Sequence, residues 1–444
     1  MTVKTRFAPS PTGKLHVGNA RTAIITWLFS RSQGGEFLLR IDDTDFERSK
    51  EEYTKQIIDN LKWLGLEWDQ LEHQKSRFDY YNAAIKKLKE DARLYPCYET
   101  PEELGLKRKS QLAKGLPPIY DRSALNLTPE QIKHYEDEER KPHWRFKLNH
   151  ETIQWDDLVR GTQSFEGKDL SDPVLIREDG RPLYHICSVV DDIEFKITHI
   201  IRGEDHVTNS AAHKQMFEAL GAHAPHMAHL PLISDLGGGK LSKRLGSLSL
   251  NDLRQEDELE PMAIISYMSR LGSADPIEAF TDINEIVKNF DITRFSRSTP
   301  KFDPAELLRL NSRILHNTPY HQVKDRLPDD ISEEFWSSIR ANLERITDAQ
   351  YWHKIIFEPI TPVIEEPEFI EQATLLLPDE PWDENTWSQW TSAIKSQTGR
   401  KGKDLFMPLR KALTGLDHGP ELAPLLPLMG RERVVSRLNY KKAA

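Results

Sequence analysis

Two short segments of the chain carry residue types that suit phosphate chemistry. The first, from Pro9 to Asn19, reads PSPTGKLHVGN, so turn-forming residues precede a helical pattern that starts near Val17. Glycine at position 18 lets a ligand approach the backbone closely, the first N–H groups of the helix are unpaired, and the His16 imidazole can donate to a phosphate oxygen. This segment predicts a cradle for ATP. A proline-rich loop that caps a helix, with His16 in a local hydrogen bond, fits the same pattern.

The second segment, residues 237–244, reads GGGKLSKR and places three cations within five residues after three glycines. When a carboxylate attacks the α-phosphate of ATP, negative charge accumulates on the leaving pyrophosphate. Lysines on a flexible loop can stabilise that charge without acting as nucleophiles. The alternative is a solvated basic turn, which is the usual role of a short charge run.

The elements around the first segment follow an α/β rhythm. Apolar residues at helical spacing predict a helix over about 17–32, and the run FLLRI at 37–41 predicts a buried strand. An acidic run follows at 42–45, where Thr44 and Glu47 have the spacing of a capping box for the next helix. Strand patterns return at 195–201 and 230–233. These alternating elements indicate an α/β fold with a sheet.

The remainder of the chain divides into two regions. Residues 94–179 are irregular and rich in charge runs, which we interpret as an insertion into the α/β domain. From about residue 253 onward, helical periodicity predicts a mostly helical C-terminal region. Residues 391–444 contain eleven Lys or Arg against four Asp or Glu, so the chain ends in a basic patch although the formal net charge is -10.

Composition excludes several classes of protein. No apolar run reaches the roughly 18–20 residues of a membrane span, and the N-terminus lacks the apolar region of a signal peptide, so we expect a cytoplasmic protein without a membrane partner. Cys97 and Cys187 are the two cysteines of the chain. They cannot form a disulfide framework or a cysteine-rich zinc cluster.

The two phosphate-binding segments, in this order around an α/β core, resemble the two signatures of class I aminoacyl-tRNA synthetases. Their particular forms are similar to those of glutamyl-tRNA synthetases of the bacterial type. Asn19 stands where the first signature usually has histidine, Leu241 is the middle residue of the second, and Asp42 and Ser188 replace a common glutamate and asparagine. The resemblance extends through residues 40–45, 157–161, 184–192, 201–205, 302–303 and 399–419.

The resemblance implies a Rossmann-type catalytic domain with an insertion, followed by a mainly α-helical anticodon-binding region. The catalytic domain would comprise residues 1–93 and 181–236, and an acceptor-stem-binding insertion would comprise residues 94–180. A stem-contact domain with the KLSKR loop would follow at 237–315, and a helical anticodon-binding domain at 316–444.

The same resemblance carries site roles to matching positions of this chain. The catalytic residues would be His16, Lys240 and Lys243. The ATP-binding residues would be Pro9, Thr12, Gly13, His16, Gly18, Asn19, Asp205, His206, Leu241, Ser242, Lys243 and Arg244. The glutamate-binding residues would be Arg6, Ala8, Ser10, Asp42, Tyr184, Ser188 and Arg202.

Amino-acid selectivity also follows from a physical argument. A buried glutamate carboxylate needs a fixed cation, and arginine suits a bidentate grip. Arg6 and Arg202 are the candidates, and Asp42 would meet the substrate ammonium. The ordinary alternatives are a solvated charge for Arg6 and, for Arg202, an ion pair with Glu204 or Asp205.

The expected reaction is ATP-dependent ligation of L-glutamate to tRNA-Glu, or possible charging of tRNA-Gln, through a glutamyl-adenylate. ATP would bring Mg²⁺, whereas we expect neither a protein metal site nor structural zinc, because Cys97 has no second cysteine nearby. The family also implies a monomer. Alternatives are a glutaminyl-tRNA synthetase, a nucleotidylyltransferase, which would not need the long helical region, and a non-catalytic tRNA-binding paralogue, which would be expected to have lost one signature.

Overall fold

In the computed structural model, which describes residues 2–239 and 249–440, the chain starts with a β–α–β unit. Strand β1 (Lys4–Phe7) leads through a loop into helix α1 (Val17–Ser32), which returns to strand β2 (Glu36–Ile41). The His16 side chain caps α1 by accepting a hydrogen bond from the Gly18 N–H. The helix predicted at 17–32 and the strand predicted at 37–41 are confirmed.

A seven-stranded sheet forms the centre of this part of the chain. Its other strands are β3 (Gln70–His73), β6 (Thr152–Asp157), β7 (Gly161–Glu166), β9 (His199–Gly203) and β10 (His226–Leu230). The order is β3-β2-β1-β9-β10-β6-β7, and neighbouring strands are parallel except for the β6–β7 hairpin. Phe37, Leu39 and Ile200 are fully buried, as expected for parallel strands covered on both faces. The strand order reverses direction between β1 and β9, where such sheets open a crevice at their carboxyl ends.

A second, three-stranded antiparallel sheet lies within the predicted insertion. It contains β4 (Leu94–Cys97), β5 (His143–Phe146) and β8 (Val174–Ile176). The helices α4 (Pro101–Ala113) and α5 (Pro129–Asp137) each start with a capping box, formed by Thr100 and by Thr128. The β6–β7 hairpin between these strands joins the edge of the main sheet instead. The sequence pattern did not reveal that part of this region completes the central sheet.

Three local predictions were wrong in detail. Helix α2 (Glu51–Trp63) starts well after Thr44, and its N-cap, Lys50, makes no side-chain capping bond, so the predicted capping box does not form. The strand predicted at 195–201 starts at His199, because the preceding helix continues to Glu194. The strand predicted at 230–233 is β10, which ends at Leu230 before a proline. A short apolar run predicts that a strand is present more reliably than it predicts the first and last residues of that strand.

The remaining helices complete the described chain. Those before residue 300 are α3 (Phe78–Glu90), α6 (Tyr184–Glu194), α7 (Val207–Ala219), α8 (Leu250–Gln255), α9 (Pro261–Arg270) and α10 (Ile283–Lys288). The later helices are α11 (Pro304–Asn317), α12 (Tyr320–Val323), α13 (Glu333–Ile339), α14 (Asp348–Phe357), α15 (Pro367–Leu375), α16 (Thr386–Thr398), α17 (Lys403–Thr414), α18 (Leu422–Met429) and α19 (Arg431–Leu438).

The chain divides into two compact units. The first comprises residues up to Glu256 together with Ile265–Ile277 and Asp282–Asp303, and the second consists mainly of residues from Pro304 onward. The second unit has its own apolar core, in which Trp336, Trp390 and Leu409 are fully buried. The helical C-terminal region is therefore confirmed. Across the described ranges, no helix is both long and apolar enough to span a bilayer.

Candidate active site

A cleft of about 760 Å³ opens at the carboxyl ends of β1, β2, β9 and β10, beside the N-terminus of α1. The predicted site residues that line it are Arg6, Ala8, Pro9, Ser10, Thr12, His16, Gly18, Asn19, Asp42, Tyr184, Ser188, Arg202, Asp205 and His206. Gly13 does not line the cleft. Lys240, Leu241, Ser242, Lys243 and Arg244 lie outside the residues that the structure describes. One cavity thus brings together residues from four stretches of the chain, 6–19, 42, 184–188 and 202–206.

The N-terminus of α1 forms one wall of the cleft. His16 Nδ1 accepts the Gly18 N–H at 3.3 Å, so a neutral ring carries its proton on Nε2 and can donate it to a ligand. Partial burial lowers the pKa of His16, which favours this neutral form. Among the described residues, a Cβ at Gly18 would lie within 4 Å of His16 Nδ1 alone, at 3.7 Å. Because packing does not require a glycine there, the position is free for close approach of a ligand to the helix N-terminus.

The residues flanking the glycine–lysine segment lie near the same wall. Ile233 lines the cleft before the segment, and Ser249 after it forms an antiparallel bridge with His16. The Leu250 N–H donates to Leu15 O at 2.9 Å, and Lys14 pairs with Asp252 at 3.1 Å. The chain therefore leaves the undescribed segment next to the residues of the first signature.

Arg40 lies at the floor of the cleft, and it was not among the residues predicted from the sequence. It is fully buried and pairs with Asp42 at 2.8 Å and with Asp192 at 2.8 Å, while also donating to Ser188 Oγ at 3.2 Å. Burial would lower the pKa of Arg40, but Asp42, Asp192 and Asp191 outweigh it and raise the pKa well above its usual value. In the sequence run FLLRI, Arg40 looks like any other residue of a buried strand. Its place in the charge network of the cleft is evident only from the aspartates that it contacts in the structure.

Arg6 and Arg202 differ in how their charges are balanced. Arg6 is buried and donates to Asp192 at 3.1 Å, so a solvated charge is the wrong interpretation. Arg202, which is 6% exposed, donates to Tyr184 Oη at 3.0 Å and to Ser210 Oγ at 2.5 Å. In the described part of the chain no carboxylate lies within ion-pair distance of Arg202.

The ordinary interpretation of Arg202 as the ion-pair partner of Glu204 or Asp205 is also wrong. Glu204 pairs with Arg160 at 2.5 Å, and Asp205 lies 3.8 Å from His206. Burial lowers the pKa of Arg202, as expected for a buried guanidinium whose positive charge is not fully balanced by nearby anions. An anionic group in the cleft would supply that compensation.

Neither cysteine is placed for metal chemistry. Burial raises the pKa of the Cys97 thiol to about 12, so it stays protonated at neutral pH. Cys187 is also buried, and its pKa lies well above the usual value. Among the described residues, no group of three or more His, Cys, Asp or Glu side chains could hold a metal ion.

Comparison with known proteins agrees with this geometry. Residues 2–309 match the family model for the catalytic domain of class I tRNA synthetases (E and Q), and residues 362–441 match that of an anticodon binding domain. The chain is 54% identical to a glutamate–tRNA ligase of Azospirillum brasilense, with all of both chains covered. It is 55% identical to glutamate–tRNA ligase 1 of Maricaulis maris, covering 99% of this chain and 100% of that protein.

The fold also matches a solved structure. A glutamate tRNA ligase from Elizabethkingia meningosepticum, crystallised with its amino acid, superposes with a TM-score of 0.84 at 27% identity, and 99% of each chain is covered. The superposition therefore includes both the α/β sheet and the helical C-terminal region of this chain. The chain therefore belongs to the class I tRNA synthetases of the E and Q group.

Proposed function

We propose that this chain uses ATP to activate L-glutamate as an acyl-adenylate and transfers the glutamyl group to the 3′ end of tRNA-Glu. The observation that carries the proposal is a single cleft that joins the N-terminus of α1 to a buried Arg202 without a carboxylate partner in the described chain. The first feature suits a triphosphate and the second an acidic side chain. Together they select an acidic amino acid as the group that ATP activates.

In the first step the substrate α-carboxylate attacks the α-phosphate of ATP. A bond forms between a carboxylate oxygen and phosphorus, and the bond to the β-phosphate breaks, releasing pyrophosphate. His16 Nε2–H and other N–H groups in the first turn of α1 hold phosphate oxygens during this change. Asn19, Thr12 and the backbone near Pro9 complete the nucleotide wall, and Mg²⁺ bound with ATP would neutralise phosphate charge.

Lys240 and Lys243 are proposed to stabilise the leaving pyrophosphate. Support comes from the neighbouring residues, since Ser249 pairs with His16 and Ile233 lines the cleft. Replacing Lys243 by alanine should sharply reduce pyrophosphate exchange. Unchanged exchange in that variant would remove Lys243 from the mechanism.

Recognition of the glutamate side chain is proposed to rest on unequal charge balance. Arg6 and Arg40 are paired with aspartates, whereas Arg202 retains an uncompensated charge that a γ-carboxylate can neutralise. The amide of glutamine offers no such charge and would leave Arg202 buried without an anion. The pocket therefore disfavours a glutaminyl-tRNA synthetase.

Asp42 is proposed to receive the substrate ammonium, and this role predicts a pH dependence. Burial raises the pKa of Asp42 to about 6, although Arg40 opposes the shift. Because the neutral carboxyl cannot pair with an ammonium, KM for glutamate should rise by about tenfold for each pH unit below that pKa. Steady-state activation kinetics from about pH 5 to about pH 8, a range that brackets the titration, would measure the rise.

The control for this prediction is Asp42→Asn. This variant should have a high KM for glutamate at every pH and no rise near the pKa of Asp42, because the titrating group has been removed. A wild-type KM that stays flat, or a variant that keeps the rise, would contradict the assignment to Asp42. Burial lowers the pKa of His16 and of His206, and both histidines remain in the Asp42→Asn variant. Any effect of their protonation on KM would therefore persist in that variant.

In the second step the terminal ribose hydroxyl of tRNA attacks the glutamyl carbonyl, and AMP leaves. We propose that residues 94–180 bind the acceptor stem, residues 237–315 contact the stem, and residues 316–444 bind the anticodon. The basic C-terminal segment suits phosphate contacts. A non-catalytic paralogue is disfavoured because both signatures are retained, and a nucleotidylyltransferase because the chain has a long helical C-terminal region.

A small cavity in the second unit supports the anticodon role. It has a volume of about 190 Å³ and is lined in part by Trp387, Phe406, Arg410 and Glu421. The Trp387 and Phe406 rings lie 6.2 Å apart at 27°, and one terminal guanidinium nitrogen of Arg410 is buried with no hydrogen-bond partner among the described residues. Aromatic faces beside a guanidinium form a suitable site for an unstacked base.

Phe406→Ala should therefore weaken tRNA binding without affecting amino-acid activation. Loss of one stacking partner should raise KM for tRNA about tenfold, with KM for ATP unchanged. The matched control is Leu375→Ala, which removes another exposed apolar side chain of the same unit. Equal tRNA kinetics for the two variants would exclude Phe406 from the tRNA interface.

Aminoacylation of purified tRNA-Glu and tRNA-Gln with labelled glutamate and glutamine tests the proposed function. We expect glutamyl-tRNA-Glu as the product, and labelled glutamate on tRNA-Gln would extend the substrate range. Transfer of glutamine in preference to glutamate would contradict the pocket assignment. Gel filtration of the free enzyme would test the expected monomer.

A further inference from the structure

Arg202 is the end of a buried chain of hydrogen bonds that comes from three separate segments. Its terminal nitrogen donates to Ser210 Oγ at 2.5 Å, and Ser210 Oγ lies 2.7 Å from His229 Nε2. His229 Nδ1 in turn lies 2.5 Å from Asp157 Oδ2. Ser210 and His229 are fully buried, and Asp157 is 4% exposed. Asp157 belongs to the 157–161 motif, to which the proposed mechanism gives no role.

The partners of Asp157 fix the direction of each proton. Its Oδ1 accepts three backbone N–H groups, from Val159, Arg160 and His229. Burial would raise the pKa of Asp157, but the hydrogen bond from His229 and these N–H groups lower it, so the carboxylate is charged. It therefore accepts the proton on His229 Nδ1. Burial lowers the pKa of His229, so the ring is neutral and Nε2 accepts a hydrogen bond.

Ser210 Oγ accepts from Arg202, and its own proton can go to His229 Nε2 at 2.7 Å or to the His206 carbonyl at 3.2 Å, so the shorter contact favours donation to His229. The sequence Arg202–Ser210–His229–Asp157 thus has one consistent direction of donation from the guanidinium to the carboxylate. This arrangement holds the guanidinium in place through a neutral hydroxyl. A carboxylate in direct contact would hold it equally well but would cancel its charge, as Asp192 does for Arg6.

Asp157, His229 and Ser210 have the order of a nucleophilic triad, but the surroundings of the serine exclude that role. Ser210 is fully buried, and its oxygen receives a guanidinium proton. An attacking serine oxygen needs access to a substrate carbonyl and a free lone pair. The chain of hydrogen bonds therefore acts on Arg202.

We propose that Asp157, His229 and Ser210 are positioning residues that orient Arg202 while leaving its charge uncompensated, and that they thereby set the preference for an acidic over an amide side chain. This inference rests on the proposed function of Arg202 in binding glutamate. It assigns the specificity of the pocket to residues that do not touch the substrate.

The most discriminating variant is Asp157→Asn. The asparagine oxygen can still accept the three backbone N–H groups, and its amide can donate to His229 Nδ1, so hydrogen bonding and shape are kept. The proton of His229 then moves to Nε2, so the ring donates toward Ser210 Oγ instead of accepting from it and points an N–H toward Arg202 Nε, 3.4 Å away. Ser210→Ala instead deletes the link next to Arg202.

Both variants are measured by ATP–pyrophosphate exchange with tRNA-Glu present, with L-glutamate and L-glutamine as substrates. Each should raise KM for glutamate about tenfold, as expected for a hydrogen bond to a charged group, with little change in kcat or in KM for ATP. The ratio of kcat/KM for glutamate to that for glutamine should fall in parallel. Asp43→Asn and Ser30→Ala are the matched controls, since Asp43 is a buried aspartate that accepts a backbone N–H and contacts a histidine ring, Ser30 is a buried serine that donates to a carbonyl, and neither lines the cleft.

A double-mutant cycle separates action through Arg202 from a general structural role. In an Arg202→Met background, adding Asp157→Asn or Ser210→Ala should lower kcat/KM for glutamate no further. Additive losses, or single variants that match their controls in KM and discrimination, would overturn the proposal. If one variant does not fold by circular dichroism, the other decides. A wild-type enzyme without glutamate-dependent exchange would instead refute the proposed function itself.

Discussion

Arg202→Met should lower kcat/KM for glutamate by about 10²- to 10³-fold, because the substrate γ-carboxylate would enter a desolvated pocket without its cation. The loss should fall mainly on KM, since the guanidinium contacts the side chain in both the ground state and the transition state. KM for ATP should change little. Discrimination against glutamine should largely disappear, because the charge that rejects the amide is gone. Initial rates of pyrophosphate exchange with both amino acids would measure these effects.

The control for Arg202 is Arg31→Met. Arg31 lies at the far end of α1, where it pairs with Asp69 at 2.8 Å, and it does not line the cleft. Arg31→Met makes the same change of side chain as Arg202→Met, but outside the cleft, so this variant should keep wild-type kinetics. An Arg202 variant that still prefers glutamate over glutamine would show that another residue reads the acidic group.

His16→Ala should lower kcat for adenylate formation by about 10²-fold, which is the usual effect of removing one donor to a developing charge. The same substitution also removes the cap of α1, and loss of an N-cap costs about 1 kcal/mol of stability. Activity and melting temperature should therefore fall together in this variant. Rapid-quench measurement of adenylate formation and thermal melting would record the two effects.

His16→Asn separates catalysis from capping. Asparagine is a favoured N-cap residue, so its side-chain oxygen can accept the Gly18 N–H and preserve stability. It lacks the ring N–H that is proposed to reach the phosphate. We expect near-wild-type melting with the same loss of kcat as alanine. Full recovery of kcat in the asparagine variant would mean that His16 acts only as a helix cap.

Much of the fold could be predicted because its signals are local. Helix α1 has apolar residues at helical spacing and a capping residue at its start, and β2 is a continuous apolar run between turn residues. The predicted ends of β9 and β10 were shifted by two to four positions, because apolar runs beside prolines or turns fit more than one element. The β6–β7 hairpin was missed, since its place at the sheet edge depends on pairing with β10.

The candidate site was predictable where its residues belong to contiguous motifs. His16, Gly18 and the residues after β9 were selected in this way, and they line one cleft. Arg40 was missed because two of its three aspartate partners, Asp191 and Asp192, lie far along the chain, with a separation of 152 positions between Arg40 and Asp192. The Asp157–His229–Ser210 chain was missed for the same reason. Buried charge networks are defined by tertiary neighbours, which a single sequence does not show.

A crystal structure of the enzyme with a non-hydrolysable glutamyl-adenylate analogue tests the central claim most directly. We expect the γ-carboxylate to bind the Arg202 guanidinium and the phosphate-mimicking group to lie at the N-terminus of α1, beside His16 and Gly18. A γ-carboxylate directed into solvent, or a nucleotide bound away from α1, would contradict that claim.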